Sequence, residues 1–302
     1  MIENKIVSFY KFFDIKSPEI LKNRIFKEFK KNSILGTLIL SQEGVNGMLS
    51  GKEQNLNNIV NFLLQDFNLK MEDFKYLNSL KKPFHRLRIK IKDEIISLGK
   101  PNSSNPNKNV GEYLQPREWN TLLEKEDVIL IDTRNYYETS IGTFKNSIIP
   151  NMSSFKDFPK FVDSLSKYKN KNIAMFCTGG IRCEKASSYM IEKGFKNVFH
   201  LEGGIINYLG QVKEEISKWQ GECFVFDNRV SVKHDLSEGS YKMCHACNQP
   251  LSLSDSKSPK FKEGVHCHKC FGKLNKKQIK RLSERQKQMD LAKKRGKVHL
   301  GV

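Results

Sequence analysis

No apolar run in this sequence approaches the roughly 20 residues that a membrane-spanning helix requires. The longest, such as "VILI" at residues 128–131, are strand-sized. The N-terminus "MIENKIVSFYKFF" has no long apolar region and no small-residue cleavage site. A secretory signal is therefore not expected, and the expected location is cytoplasmic, with no membrane partner. Acidic residues are few: 33 Asp and Glu stand against 52 Lys and Arg, a net charge of +19. A chain so short of negative charge is expected to meet a polyanion, nucleic acid first. An even cysteine complement is also missing, and 7 cysteines argue against a disulfide framework. What remains is a 302-residue chain, 38% hydrophobic and 28% charged, long enough for two or three soluble domains. A monomer is expected.

The pattern of the chain divides it into four stretches. Residues 1–98 read as a small α+β unit: "KIVSFYKFF" as a strand, and "SPEILKNRIFKEFKKN" as a helix with Ser17 as N-cap and Pro18 at its first position. Ile20, Leu21, Ile25 and Phe29 mark that helix's apolar stripe. Two strands, the helix "NLNNIVNFLLQDF" and a late strand "HRLRIKIKDEII" complete a β-α-β-β-α-β order, the ferredoxin-like pattern. Residues 99–118, rich in Pro, Asn, Ser and Gly, read as a linker long enough to wrap across a neighbour. Residues 119–220 alternate buried strands ("DVILIDTRN", "KNIAMFC", "VFHLEGG") with helices, the last of them "IINYLGQVKEEISKW". This predicts a parallel sheet covered on both faces, an α/β arrangement with ligands beyond the C-terminal strand ends. Residues 221–302 carry four cysteines and a basic helical tail.

At one such strand end stands "FCTGGIRCEK", residues 176–185. A strand-loop-helix turn points backbone N–H groups into the loop, and the helix N-terminus adds partial positive charge. Gly179 and Gly180 admit backbone angles that other residues resist, and Arg182 adds a full charge. All of this favours the thiolate of Cys177 over its thiol. Against it stands the bland reading of a free cysteine as a buried, inert core residue, which has no use for Gly-Gly-x-Arg beside it.

A cysteine, four loop residues, then an arginine before a helix resembles the rhodanese active-site loop. "VILIDTRNYYETSIGTFKNSIIPN" and "HLEGGIINY" resemble flanking segments of a rhodanese domain. Taken with "SQEGVNGMLSG", "GEYLQPREWN", "GECFVFDNRVSV" and the distal cysteine pairs, "CTGGIRCEKAS" resembles the bacterial rhodanese-type tRNA uridine hydroxylase family over nearly the whole chain. The resemblance implies an acylphosphatase-like N-terminal domain before a rhodanese domain. It also implies oxygen-dependent conversion of the wobble uridine (position 34) of tRNA to 5-hydroxyuridine, with tRNA engaged at its anticodon loop and molecular oxygen as co-substrate. Cys177 then inherits the catalytic role, with Arg182 beside it and Thr178, Gly179 and Gly180 completing the loop. Asp132 and Arg134 are expected to brace the loop through an ion pair, the alternative being direct contact with substrate. Arg182 is open to two readings, phosphate binding or locking the loop to nearby acids. Cys183 is open to two as well, a resolving thiol for Cys177 or a small packed residue. No iron triad and no flavin or nicotinamide fingerprint accompanies these motifs. The alternative from the same loop is a sulfurtransferase moving sulfane sulfur through a Cys177 persulfide. A third reading, a non-catalytic RNA-binding adaptor, leaves the intact cysteine loop without a purpose.

"CHAC" and "CHKC" place Cys244 and Cys247 nineteen residues from Cys267 and Cys270. Two such pairs predict a closed tetrahedral site of four thiolates for structural Zn2+, with His245, His266 and His268 outside the ligand shell. The tail that follows, from Lys273 to Lys297, offers Lys276, Lys277, Lys280, Arg281, Lys293, Lys294 and Arg295 for phosphate contact, or simply a solvated helix. Arg86 and Arg88, beside Phe84 and His85 on the late strand, are a second candidate RNA-binding patch or an exposed sheet face.

Overall fold

The computed structural model describes residues 4–79, 82–100 and 103–296. The N-terminal unit runs β1 (Asn4–Phe12), α1 (Pro18–Lys31), β2 (Leu35–Ser41), β3 (Gly44–Gly51), α2 (Glu53–Asp66), β4 (Phe74–Ser79) and β5 (Leu87–Ile91). Its sheet has the order β4-β1-β3-β2-β5, antiparallel throughout except that β5 runs parallel to β2. Alternation along the strands sends Val7, Phe9, Leu38, Leu40 and Leu49 to one face, where Ile25 and Phe29 of α1 and Ile59 and Leu63 of α2 cover them. The other face carries Ser8, Tyr10, Thr37, Ile39, Asn46 and Met48, and neither α1 nor α2 covers it.

Two details differ from the sequence reading. The strand that closes β-α-β-β-α-β is Phe74–Ser79, and the late strand expected to do so lies on the opposite edge. "FKYLNS" lacks clean alternation, since only its first and last residues are buried, whereas "LRIKI" alternates and is the stronger signal. In α1, Ile20 is 72% exposed. It lies five residues before Ile25, about 140° round the helix from the stripe that Ile25 and Phe29 form.

The central unit continues through β6 (Glu112–Leu114), α3 (Pro116–Leu123), β7 (Val128–Asp132), α4 (Tyr136–Thr139), β8 (Gly142–Phe144), α5 (Phe158–Ser164), β9 (Asn172–Phe176), α6 (Ile181–Glu192), β10 (Asn197–Leu201) and α7 (Gly204–Gln211). Four parallel strands pair in the order β6-β10-β9-β7. Both faces are covered, as β9 shows: Ile173 and Met175 pack against α5 and α6, while Ala174 and Phe176 pack against Trp119 of α3 and Ile205 and Tyr208 of α7. The segment before β6 runs along α6, held where Glu192 accepts from the Ser104 N–H, Asn109 accepts from the Ser188 hydroxyl and Ser187 accepts from the Gly111 N–H.

The helix expected to run to Trp219 stops at Gln211, and Val212 is extended. Trp219 instead enters β11 (Trp219–Gly221), antiparallel to β8, and packs its indole 5.2 Å from the Phe144 ring. Burial of the indole outweighs further turns of a helix whose residues 213–215 are Lys-Glu-Glu. Short pairs β12 (Cys223–Phe224) with β13 (Ser231–Val232) and β14 (Lys242–Met243) with β15 (Pro250–Leu251) follow, and α8 (Lys276–Lys294) ends the described chain. Cys223 lies in the core beside Val225 and Val232.

A buried ion cluster joins the first two units. Lys185 of α6, wholly buried, reaches Glu43 at 2.7 Å and Glu94 at 2.6 Å. Glu43 also accepts from the Ile95 N–H, and Glu94 from those of Leu98 and Gly99. Removing the cation would strand two carboxylates. Lys185→Ala is therefore expected to lower stability by about 3–5 kcal/mol, read as a lower urea midpoint. A midpoint equal to the wild type would show that the cluster adds nothing to the junction.

Candidate active site and cysteine cluster

Residues 177–180 form the loop between β9 and α6. The start of α7 grips it from below: the Ile205 N–H donates to the Cys177 carbonyl at 2.9 Å and the Ile206 N–H to the Thr178 carbonyl at 3.1 Å. Gly204, at φ +66°, allows this approach, since a Cβ there would lie 2.4 Å from the Cys177 oxygen. Gly180, at φ +101°, turns its N–H onto the Cys177 sulfur at 3.1 Å.

Burial alone pushes the Cys177 thiol up. It is outweighed by the hydrogen bond from the Cys183 thiol, the Arg182 guanidinium and the Cys183 and Gly180 N–H groups, and the pKa falls to about 6. Cys183 titrates in the opposite sense. Burial and the Cys177 sulfur push it well above its usual value, so it stays a thiol and donates. It is fully buried among Ala186, Met190 and Ile173 and has the Thr133 hydroxyl 3.6 Å away.

Arg182 is held by a partner that the sequence pattern does not single out. Its two terminal nitrogens meet the two oxygens of Glu138 at 2.6 and 2.7 Å. Burial would raise the Glu138 carboxyl, but the Arg182 charge and hydrogen bonds outweigh it and the pKa is lowered. Of the two readings of Arg182, the geometry contains the lock. Asp132 and Arg134 pair with each other, at 2.9 and 2.6 Å, wholly buried in the turn after β7. The turn meets the loop region through Thr133, whose N–H and hydroxyl both donate to the Phe176 carbonyl.

Above the loop lies a cleft of about 1370 Å³. Its floor includes Cys177, Thr178, Gly179 and Arg182, one wall is the face of the N-terminal sheet opposite α1 and α2, and Phe226 of the C-terminal segment is at its edge, 53% exposed. Gly179 faces open space. Tyr10 crosses from β1 to donate to Glu184 at 2.7 Å, and Tyr113 sits against the same carboxyl. Glu138, Tyr10, Tyr113 and Phe226 are not singled out by sequence spacing, because they meet the loop from distant stretches. The one local signal is Glu184 itself, seven residues after Cys177 on the helix that follows it.

The four distal cysteines converge. Their sulfurs lie within 4.8 Å of one another, with Cys244–Cys270 at 3.9 Å, Cys247–Cys267 at 3.7 Å and Cys267–Cys270 at 3.8 Å. A tetrahedron with Zn–S bonds of about 2.3 Å has sulfurs about 3.8 Å apart, so the set fits zinc. His266 and His268 turn elsewhere, towards the Lys260 carbonyl at 3.0 Å and Asp255 at 3.6 Å. Asn275 caps α8 by accepting from the Gln278 N–H at 2.8 Å, Leu282 is the helix's buried residue, and Gln286 lies against Gly264 of the lobe. Lys276, Lys277, Lys280, Arg281, Lys293, Lys294 and Arg295 are exposed, as are Arg86 and Arg88; Lys297 lies outside the described residues. Pairing of Thr37 with Arg88 and of Ile39 with Lys90 places these two cations on the cleft-facing side of the sheet. No described helix is long and apolar enough to cross a membrane.

Comparison with known proteins divides the chain in the same way. Residues 4–95 match the family model described as UPF0176 acylphosphatase like domain, and residues 115–211 match the rhodanese-like domain. Similar solved structures include a rhodanese-like domain protein from Staphylococcus aureus, 26% identical, covering 32% of this chain and 90% of that one, with a TM-score of 0.27. The rhodanese-like domain of an Anabaena protein is 18% identical, covering 36% and 78%, with a TM-score of 0.30. A Helicobacter pylori protein is 24% identical, covering 36% and 88%, with a TM-score of 0.29. The chain thus joins a UPF0176 acylphosphatase-like domain to a rhodanese-like domain, a pairing consistent with the UPF0176 family.

Proposed function

We propose that this chain hydroxylates the wobble uridine of tRNA, position 34, to 5-hydroxyuridine, with molecular oxygen as co-substrate. The Cys177 thiolate adds to C6 of uracil, which raises electron density at C5, where oxygen enters. One oxygen atom is inserted at the C5–H bond, the sulfur leaves C6 as thiolate to restore the C5=C6 bond, and two electrons from a reductant with two protons carry the other oxygen atom to water. The observation that carries this reading is a thiolate-favouring cysteine at the floor of a cleft whose second wall is another domain with cations on its face. A small-molecule sulfurtransferase has no use for that wall. An anticodon-loop base is partly unpaired and inexpensive to splay out towards such a floor. The test is mass spectrometry of tRNA nucleosides from cells with and without the chain. Unchanged 5-hydroxyuridine would overturn the proposal.

One observation favours the second reading, sulfur transfer through a Cys177 persulfide. The Gly180 N–H aimed at the sulfur would equally cradle an anion attached to it. Thiosulfate-dependent persulfide on Cys177, with no change in tRNA, would select it.

In this proposal α8 contributes binding. Replacing Lys276, Lys277, Lys280 and Arg281 together with Gln keeps the buried Leu282 and removes four exposed charges. Each phosphate that is no longer neutralised should flatten the slope of log affinity against log salt by roughly 0.7–0.9. The weakening should be similar across tRNAs, because phosphate contacts position without specifying sequence. Parallel salt lines for the two proteins would leave the helix a solvated face.

A further inference from the structure

The carboxylates around the cleft have unlike partners. Glu138 is committed to Arg182, Asp73 to Lys11 at 2.9 Å, and Glu72 has Lys70 at 3.5 Å. Glu43 and Glu94 share Lys185. Glu202 accepts from the Gln115 amide. Glu184, also on the cleft, faces only neutral phenols, Tyr10 from β1 and Tyr113 from β6. The two cations on its own helix, Arg182 and Lys185, both point into other pairs. Two negative groups, the Cys177 sulfur and Asp73, act on it as well, Asp73 being paired with Lys11.

Resting on the uridine reading above, we propose that Glu184 is the proton donor to the uracil ring when the Cys177 sulfur adds to it. The step balances without an oxidant. The S–C6 bond forms, the C5=C6 π pair moves through C4 to O4, and the Glu184 carboxyl proton passes to O4. The products are a neutral enol with an electron-rich C5 and a Glu184 carboxylate. Expulsion of sulfur reverses each transfer.

The site holds two acids in opposite states, which is how one fold separates a charge-stabilising carboxylate from a proton donor. Burial raises the Glu184 carboxyl to about 7, the two phenols pull it down by less, and the Cys177 sulfur and Asp73 add to the rise. Glu138 stays ionised. Near neutral pH, Cys177 is then thiolate while Glu184 keeps a proton in a substantial fraction of molecules. Tyr10 fixes the donor against the loop: a Cβ on Gly180 would lie 2.7 Å from its hydroxyl, so the phenol rests directly on the turn that orients the sulfur. Tyr10 is raised well above its usual value, by burial first and then by Glu184, and so remains a phenol.

The test uses the full chain with an anticodon stem-loop RNA carrying 5-fluorouridine at the wobble position, without oxygen. The wild type is expected to form an adduct at Cys177 that survives denaturation once a solvent proton adds at C5 and saturates the ring, at a rate that falls above about pH 7 as Glu184 loses its proton. Glu184→Gln keeps the size and the Tyr10 contact, and should slow adduct formation by roughly 100-fold and remove the fall at high pH. Glu184→Asp should recover part of the rate. Iodoacetamide labelling of Cys177 in the Gln variant should be no slower than in the wild type, because losing a nearby negative charge favours the thiolate. Equal adduct rates for wild type and Glu184→Gln overturn the assignment of Glu184 and leave uridine hydroxylation standing. No wild-type adduct removes uracil addition, and this proposal with it. A fall in labelling that matches the fall in adduct rate would make Glu184 a structural support of the loop and also overturn the proposal.

Discussion

Cys177→Ser is expected to bring 5-hydroxyuridine formation to background, a loss of roughly a thousand-fold or more, with fold and RNA affinity unchanged. The residue is 1% exposed and its neighbours are set for an anion: the Gly180 N–H at 3.1 Å, the Cys183 thiol and the Arg182 charge. Serine is close in volume and can accept the same N–H, so the loop has no reason to move. A hydroxyl in that cradle nevertheless stays neutral near pH 7, and the ring loses its nucleophile. The wild-type sulfur supplies an independent check. Its labelling rate by iodoacetamide should rise through a midpoint near pH 6, where the cradle holds the thiolate, well below an ordinary cysteine. A serine variant that modifies tRNA at the wild-type rate would end the covalent proposal. A labelling midpoint near about 8.5 would mean the cradle does not favour the thiolate.

How much of this is legible in the sequence depends on the distance over which each contact is made. The Cys177 loop is readable because its parts are local: a buried strand, two glycines and a helix start follow one another closely. The cysteine pairs are readable because tetrahedral thiolate sites use a short, fixed spacing. The Arg182 partner is not, since Glu138 lies 44 positions upstream and its own neighbourhood reads as an N-terminal helix cap, a role it also fills by accepting from the Asn135 N–H at 3.1 Å. The Lys185 cluster spans 142 positions to Glu43, and Tyr10 meets Glu184 across 174. Such pairs depend on how two domains dock, and no periodicity within either records that. The same limit explains the misplaced closing strand. Phe74–Ser79 is held by pairing with β1, which a local pattern of exposed and buried residues does not reveal.

Removing zinc is expected to unfold the C-terminal lobe while leaving the cysteine loop of the central domain reactive. The lobe's own core is Leu251 and three of the cysteines, with Ala246, Cys247 and Phe261 packed beside them and Val265 buried separately. So small an apolar cluster does not offset the ordering of a lobe of about thirty residues, whereas a structural zinc site supplies about 10–16 kcal/mol at neutral pH. Once the thiolates lose the metal, α8 loses the surface at Gly264 against which Gln286 lies, and the exposed cations of the tail lose their fixed position. The central domain keeps its core, because the lobe touches it through groups such as the Gln249 amide on the Tyr136 hydroxyl at 2.7 Å, outside that core. Metal analysis should therefore return about one zinc per chain. After chelation, hydrogen exchange should accelerate across residues 242–282 and stay slow across 128–201. Iodoacetamide labelling of Cys177 should keep its rate, and the salt slope of RNA binding should flatten as it does for the α8 variant. A metal-free preparation whose lobe remains protected, with Cys244 and Cys247 freely labelled, would sink the claim that metal holds the lobe together.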